Sequence, residues 1–474
     1  MKYLILILII GFNFVHFKLA AQCKTGDVHI STETKLNEFK SNFSACDTIF
    51  GNLIIGPEIL GGKTRLIEIN GLENIKVILG NLEITSNQWL EDISGLQNIT
   101  YIKGDFIYRQ NPKLMKNLTF ITTQIDGSVD LSFGHFSNAQ ITFPYLTHVA
   151  GDLRFSTSNE HRSIFPTLKT IGNSLSYYSN SKECYDLNQL ENVKTVNLGF
   201  TGYNTIVHVL QKLRTTESFG LEVKLLKKIT LSPALLVDYF TLNGDINHSL
   251  PTFSKNKNYK SFKVFNLTNA KYFKENFGSI DSINFLYLDA DIVKDSLYFP
   301  NIKYVKTVTL HGSTIKILPN IKSISNQLHI LGDIESDWVY KYVNRDDFIS
   351  EVSINSLKSK RLSGAPKINC DVFKIEHNPN LIDLKEFEFK NINAKIIEIT
   401  SNRIDSINFN TNDIDITKTQ LYFYNNTNLK YCPPKWYCEL FKNQHLFSNR
   451  KYKYIFSGNK STCNDNYLST ECNE

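Results

Sequence analysis

The sequence predicts a mainly β protein, a right-handed parallel β-solenoid whose ends carry short, disulfide-stapled helical caps. Two features predict it: a hydrophobic repeat of about 24 residues, and cysteines clustered at both ends of the chain. The composition agrees, because 42% hydrophobic and 21% charged residues suit a folded chain with a large core. A chain of 474 residues is also too long for one ordinary compact domain.

Residues 1–21 are typical of a signal peptide. Lys2 supplies the positive start, an apolar stretch runs over residues 4–17, and Leu19-Ala20-Ala21 provides small residues for cleavage. The stretch is short for a membrane span, which needs about 20 apolar residues. An uncleaved anchor is the alternative. The sequence therefore predicts an exported protein, secreted or at the cell surface, without a membrane span in the mature chain.

All eight cysteines follow that segment, and an even number in an exported chain favours disulfides over reactive thiols. The disulfide candidates are Cys23, Cys46, Cys432, Cys438, Cys463 and Cys472. The first two bracket an N-terminal unit, whereas the C-terminal four allow three pairings that stay open. Cys184 and Cys370 are left unassigned. No C-x-x-C pair occurs and no histidine lies at ligand spacing, so zinc is disfavoured and neither a metal nor a cofactor is expected.

The repeat has the form apolar-x-x-apolar-x-x-apolar-x-Gly-polar-apolar-x-apolar. Its third apolar residue recurs every 22 to 25 positions, at Ile78, Ile102, Ile125, Val149, Ile171 and Val196. The Gly-polar step predicts a tight turn with left-handed backbone. The alternation that follows, as in Leu82-Glu83-Ile84, predicts a strand with one buried face. One turn buries too little to be stable alone, so stacked turns must share a core.

One copy of the repeat contains an inserted residue, and its inward side chains are predicted to be Leu118, Ile121 and Ile125. A second periodic feature, Asn-x-x-Leu, follows several strands. Its asparagines are Asn87, Asn111, Asn378 and Asn426. Because an amide side chain both donates and accepts, stacked asparagines can bond the backbone of adjacent turns. Chance recurrence in an Asn-rich chain is the alternative.

The repeat is clear over residues 22–200, weakens over 201–296 and returns over 297–474. We expect a first solenoid array with an N-terminal cap, then degenerate turns or a connector, then a second array with a Cys-rich C-terminal cap. Amphipathic spacing predicts a cap helix over 34–43 and a C-terminal equivalent over 434–446. A short helix is predicted over 206–213 in the weaker region.

The outward strand positions form the candidate binding face, with Glu83, Ile107, Asp130 and Arg154 as its residues. Tyrosines on the outward phase are predicted to be exposed, at Tyr178, Tyr422 and Tyr424. Exposed aromatic rings stack on sugar rings, which is the basis for a carbohydrate-binding alternative.

No catalytic motif of a metalloprotease, a serine hydrolase or a nucleotide-binding loop occurs in the sequence. Asp289 with Asp291, and Asp413 with Asp415, place carboxylates on one face of a strand, as an acid pair would need. The solvent-facing side of an ordinary strand explains them better, because the flanking Leu288, Ile292, Ile414 and Ile416 fit such a strand. Basic stretches are short and separated, so nucleic acid is not an expected partner.

These residues resemble the receptor L-domain family, the leucine-rich-repeat-like domains of insulin and EGF receptor ectodomains. The similarity lies in Cys46, Ile49, the run Gly51-Asn52-Leu53-Ile54-Ile55 and the later Gly-Asn/Asp steps. In detail the chain is similar to the free-standing secreted form found in Bacteroidota. The resemblance covers 23–200 well and 297–474 in patches. It implies a solenoid that binds protein ligands, and it carries over no ligand-contacting residue.

Taken together, the sequence predicts an exported, non-enzymatic binding or adhesion protein that presents a β-solenoid face to an unidentified protein or glycan at a cell surface. The alternatives are a carbohydrate-binding module and, less favoured, a polysaccharide-active β-solenoid enzyme.

Overall fold

The fold comes from a computed structural model of the chain. It describes residues 23, 26–58, 62, 64–133, 140–157, 164–180, 183–184, 186–246, 258–265, 280–289, 302–311, 321–332, 346–357, 359–407, 414, 418–430, 438, 454–460 and 463. The chain divides into two compact units, Met1–Leu235 (unit 1) and Leu236–Glu474 (unit 2). Both are mainly β and built from parallel strands, which confirms the predicted β-solenoid. The boundaries predicted at 200 and 296 stay predictions.

Unit 1 stacks its strands into parallel sheets. The main sheet contains Val28–Ile30, Leu53–Ile55, Leu82–Thr85, Phe106–Arg109, Val129–Ser132, Leu153–Thr157, Ser174–Ser179, Glu183–Cys184, Thr195–His208 and Thr215–Thr230. The second sheet contains Thr48–Ile49, Val77–Ile78, Tyr101–Ile102, Gln124–Ile125, His148–Val149 and Thr170–Ile171. A short third pair joins Leu118–Thr119 to Ile141–Thr142, and one 3-10 turn spans Ser94–Leu96. The six turns between residues 48 and 179 therefore each contribute one strand to each of two main walls.

The predicted aliphatic column is present in the second sheet. Its members share one register position and are at most 2% exposed: Ile49, Ile78, Ile102, Ile125, Val149 and Ile171. The prediction that Val196 continues this column is wrong. Val196 pairs with Leu175 in the main sheet, while the bridge between Thr170 and Asn192 places Val193 beside Ile171. The cause is that three residues separate the inward positions of the two sheets in this turn, from Val193 to Val196, whereas four separate Ile171 from Leu175 in the turn before.

The assignment of Ile121 as an inward residue is also wrong. Ile121 is 37% exposed, whereas Phe120 and Thr122 are fully buried. The Thr122 hydroxyl donates to the carbonyl oxygen of Ile99 over 2.7 Å, which satisfies a polar group in the core. Phe120 stacks on Phe143 at a centroid distance of 5.1 Å. An aromatic stack therefore replaces the aliphatic spacing of the earlier turns.

Glycines mark the corner between the two sheets of unit 1, but for a different reason from the predicted left-handed backbone. None of Gly51, Gly80, Gly104, Gly127 and Gly151 has a positive φ. A Cβ on Gly104 would lie 2.7 Å from the backbone C and O of Gly80 and closer still to Asn81 Oδ1. The glycines are required because adjacent turns approach each other too closely for a side chain.

The polar residue after each corner glycine bonds the next turn. Asp105 N donates to Asn81 Oδ1 over 2.9 Å, and Ser128 N donates to Asp105 Oδ1 over 2.6 Å. This row, the corner ladder, comprises Asp27, Asn52, Asn81, Asp105, Ser128, Asp152 and Ser174. It gives the exposed backbone N–H groups of the corner a partner in the preceding turn.

An asparagine ladder closes the other end of the main-sheet strands. Asn87 Nδ2 donates to Ile55 O over 2.9 Å and to Asn111 Oδ1 over 3.0 Å. The predicted stacking of Asn87, Asn111, Asn378 and Asn426 is confirmed, and the structure adds Asn402 and Asn459 in unit 2. A residue with positive φ precedes each member, for example Ser86 at 59° and Gln110 at 58°. That turn points the amide inward.

Unit 2 is built from strands of which most have eight to eleven residues. They are Leu236–Ile246, Asn258–Phe265, Ser282–Asp289, Tyr304–His311, Ser323–Leu331, Phe348–Asn355, Ile368–Glu376, Ile392–Thr400, Gln420–Tyr424 and Tyr454–Ser457. A short pair joins Asp383–Leu384 to Ser406–Ile407. In Ile392–Thr400, Ala394 and Ile397 are buried with two outward residues between them. The strand therefore bends toward the core at both ends without a break.

The predicted N-terminal cap is confirmed. Helix α1 spans Glu33–Phe43, and Thr32 caps it by accepting a hydrogen bond from Lys35 N over 3.2 Å. Leu36 and Phe39 are buried. The helix predicted over 206–213 is wrong, because residues 206–208 end the strand Thr195–His208, where they pair with its neighbours. The helix predicted over 434–446 lies outside the described residues, apart from residue 438.

The cysteines follow the prediction where they are described. Cys23 and Cys46 form a disulfide, and Cys438 and Cys463 are each disulfide-bonded. Cys432, Cys472 and the side chain of Cys184 lie outside the described part of the chain. Cys370 is a free, buried thiol in a central strand of unit 2, and burial raises its pKa to about 12. It is therefore a neutral core residue at ordinary pH.

Candidate interaction surfaces

The candidate binding face of unit 1 is a row on the outer side of the main sheet. Ile54, Glu83, Ile107, Asp130 and Arg154 occupy the same register position on five successive strands. Parallel strands lie about 4.8 Å apart, so the five side chains form one line. Ile54, Glu83, Ile107 and Asp130 are half-buried, while Arg154 is exposed. Apolar and charged side chains thus lie side by side on an ordered backbone.

Ion pairs hold the charged members of this row. Arg109, one row further along the strands, pairs with Asp130, and this hydrogen bond raises the pKa of the Arg109 guanidinium. Arg154 Nη2 lies 2.9 Å from Asp152 Oδ2, a corner-ladder residue. Glu83 Oε1 accepts a weaker bond of 3.4 Å from Asn81 Nδ2. The carboxylates are therefore oriented, and a partner meets fixed rather than freely rotating charges.

Tyr178 lies on the same face at a later strand, as predicted, and is 41% exposed. It occupies the register position of Ser156 and Gly199. A Cβ on Gly199 would lie 2.5 Å from Tyr178 Cε1 and closer still to Cδ1. The tyrosine ring therefore lies across the Gly199 backbone, with its other side open.

The outer face of unit 2 has a different chemistry. His329, Ser353, Lys374, Glu398 and Tyr422 share one register position on five successive strands. Lys374 Nζ lies 3.5 Å from Glu351 Oε2 and 3.9 Å from Glu398 Oε2. We name His329, Glu351, Lys374, Glu376 and Glu398 the unit 2 charge cluster. Sequence reasoning missed it, because its members come from four strands and become neighbours only through the register.

Tyrosines border this cluster, and both predicted residues are only half-exposed. Tyr424 donates its hydroxyl to Glu398 Oε1 over 2.8 Å, which raises the pKa of the phenol. The Tyr422 hydroxyl donates to Gln420 Oε1 over 3.0 Å, and burial followed by the charge of Glu398 raises its pKa. Their prediction as freely exposed rings is corrected, since hydrogen bonds along the sheet surface hold both hydroxyls.

His329 is half-buried within the cluster, and burial lowers its pKa. The nearby Lys374 charge lowers it further, while Glu351 and Glu376 act in the opposite direction. The imidazole is therefore neutral at pH 7.

The remaining candidates carry no described site. Asp289 Oδ1 lies 2.8 Å from His311 Nδ1 in a half-buried hydrogen bond. Its partner Asp291, and the second pair Asp413 and Asp415, lie outside the described residues. Within the described residues no group of three or more histidine, cysteine or acidic side chains is arranged to hold a metal ion. No described helix has the length and apolar composition needed to cross a membrane.

Comparison with known proteins gives one match. Residues 45–118 match the family model described as Receptor L domain. The comparison with curated proteins found no match, and neither did the comparison with solved structures. The matched segment contains the corner glycines Gly51, Gly80 and Gly104 and both asparagines of the unit 1 ladder. Over this segment of unit 1, the chain is similar to the receptor L-domain family.

Proposed function

We propose that the protein is an exported, non-enzymatic binding protein that holds a protein partner at a cell surface through the outer face of unit 1. The observation that carries the proposal is the in-register row Ile54, Glu83, Ile107, Asp130 and Arg154. Protein interfaces combine an apolar centre with polar groups that fix register, and this row offers both. The receptor L-domain match over residues 45–118 supports the same class of function.

Export is the second part of the proposal. The N-terminal 21 residues have the pattern of a signal peptide. The disulfide between Cys23 and Cys46 is typical of an oxidising compartment. The absence of recognised catalytic motifs from the sequence supports a binding rather than an enzymatic role.

The test is a binding screen against an array of purified cell-surface proteins. We compare the chain from Gln22 onward with a double variant, Glu83→Lys with Arg154→Glu, which preserves net charge but reverses both charges on the face. We expect affinity for a captured partner to fall at least tenfold, because like charges then oppose each other across the interface. The matched control is Lys103→Glu with Glu217→Lys, at two exposed positions away from this row.

The control variant should bind like the unmodified protein. Equal binding by both double variants would show that the row takes no part in recognition. The proposed function itself would be overturned if the protein captures no surface protein in the screen although its cooperative unfolding shows that it is folded.

A further inference from the structure

A later part of the unit 1 main sheet carries an exposed tyrosine, Tyr178, packed over a glycine, and this feature differs from the charged row. Tyr178 lies across Gly199, as the close approach of its ring to the glycine backbone shows. Gly199 itself is buried, whereas Tyr178 is 41% exposed. Part of the ring therefore lies against the sheet at Cδ1 and Cε1, and the remaining exposed surface is available to a ligand.

A second glycine extends the flat area. A Cβ on Gly220 would lie 2.6 Å from Asn197 Oδ1, so the asparagine side chain lies over that glycine. Gly220 pairs with Asn197, and Gly199 pairs with Glu222 on the same neighbouring strand. On two adjacent strands a glycine therefore makes room for the side chain of the preceding strand, Tyr178 over Gly199 and Asn197 over Gly220.

The groups around the ring are mostly neutral and able to hydrogen-bond. Ser156 precedes Tyr178 in its register row, and Ser176 lies two residues earlier on the same strand. Thr201 Oγ1 donates to Asn180 Oδ1 over 3.3 Å at the other end, where both residues are exposed. The Arg154 charge nearby is already paired with Asp152 at 2.9 Å. Glu222, which pairs with Gly199 on the next strand, is exposed and adds one carboxylate to these hydroxyl and amide groups.

This combination fits a sugar ring. The C–H groups on one side of a pyranose carry partial positive charge and pack against the electron-rich face of an aromatic ring. The equatorial hydroxyls then project sideways, where serine, threonine and asparagine side chains can donate or accept. An anionic ligand would be repelled by Glu222, and an extended peptide would find no unpaired strand edge on the face of a sheet.

We propose that Tyr178, seated on Gly199, is the stacking platform of a binding site for neutral glycans. The site is separate in chemistry from the charged row and goes beyond the proposed protein partner.

The probes are cellohexaose, chitohexaose, laminarihexaose and mannohexaose, measured against the full chain by titration calorimetry and saturation-transfer NMR. We expect at least one probe to bind, with transfer strongest to ring C–H protons. Tyr178→Ala should lower its affinity at least tenfold, while Tyr178→Phe, which keeps the ring, should stay within about twofold of the unmodified protein.

The matched control is Tyr145→Ala, which removes a tyrosine that is 58% exposed elsewhere in unit 1. It should bind like the unmodified protein. Gly199→Ser keeps the Tyr178 ring but places a side chain where the ring now lies. The affinity of this variant for the glycan should therefore fall as well. Far-UV circular dichroism and melting temperature verify that each variant is folded.

Binding of none of the four glycans would overturn the proposal. Equal loss in Tyr178→Ala and Tyr145→Ala would do the same, since it would indicate unspecific aromatic contact. Loss of a captured protein partner without any glycan binding would assign Tyr178 to the protein interface instead.

Discussion

The two units close similar solenoid turns with different corners. In the unit 1 turns up to residue 179, four residues separate the inward side chain of the second sheet from that of the main sheet, as from Ile102 to Phe106, and a glycine lies between them. In most unit 2 turns the step is three residues, as from Val305 to Val308; from Ile324 to Leu328 it is four, at a register shift in the pairing, and no described unit 2 step contains a glycine. The glycine corners of unit 1 interrupt the strand, whereas the unit 2 steps only bend it.

The difference shows how backbone polar groups decide where a side chain is tolerated. In unit 1 the corner ladder saturates the corner N–H groups with Asn, Asp and Ser side chains of the preceding turn, which brings adjacent backbones close together. In unit 2 the parallel pairing continues on both sides of the bend, as the pairs Cys370 with Ala394 and Phe373 with Ile397 show, and it omits one residue pair at the bend itself. Fewer corner N–H groups then need a side-chain partner.

The asparagine ladder shows the opposite distribution. Unit 1 has two members, Asn87 and Asn111, after which Phe133 takes over and contacts Tyr108 at 5.3 Å. Unit 2 has four described members, Asn378, Asn402, Asn426 and Asn459, each bonded to the next. Unit 2 therefore depends more on buried amides and less on its corners.

The largest effect is expected from Asn402→Ala in unit 2. Asn402 Nδ2 donates to Ile375 O over 2.8 Å, and its Oδ1 accepts from Asn378 N over 3.1 Å. Removal leaves buried backbone groups without partners, each costing about 1–3 kcal/mol, so the free energy of unfolding should fall by about 4 kcal/mol. Urea unfolding measures it, with the exposed Asn393→Ala as control. Equal effects of both changes would contradict the ladder's role.

A smaller effect is expected from Gly104→Ala in unit 1. The added Cβ overlaps the backbone of Gly80 and the amide of Asn81, and overpacking of this kind costs about 2 kcal/mol. Lys306→Ala, at the exposed corner position of a unit 2 turn, should change the unfolding free energy by less than about 0.5 kcal/mol. Thermal melts compare the two variants. The corner comparison fails if Gly104→Ala is as harmless as Lys306→Ala.

The smallest effect concerns His329 and the pH dependence of stability. Burial holds its folded-state pKa below the unfolded value of about 6.5, so the unfolded state takes up the proton first. The unfolding free energy should therefore decrease as pH falls from about 7 through the folded-state pKa. His329→Gln should reduce that decrease, with its charged neighbours Glu351, Lys374 and Glu376 left in place. If the unfolding free energy of His329→Gln and of the unmodified protein depends on pH in the same way, the His329 imidazole contributes nothing to this pH dependence.

The sequence by itself determined the features that repeat along the chain. The spacing of Ile78, Ile102 and Ile125 predicted the column of the second sheet, because a side chain that recurs once per turn meets its own equivalent. The asparagines at 87 and 111 were predicted for the same reason. The cap helix was predicted from its local apolar spacing, which needs no knowledge of the neighbouring turn.

Only the tertiary structure decided which residues face each other between turns. Val196 moved to the main sheet because its turn lacks one corner residue, and a single-residue change of step alters the wall on which a side chain lies. The seat of Tyr178 on Gly199 and the contacts of Lys374 with two glutamates depend on the register of strands about 20 residues apart. Pairing of backbone groups fixes that register, and the order of side chains along the chain does not record it.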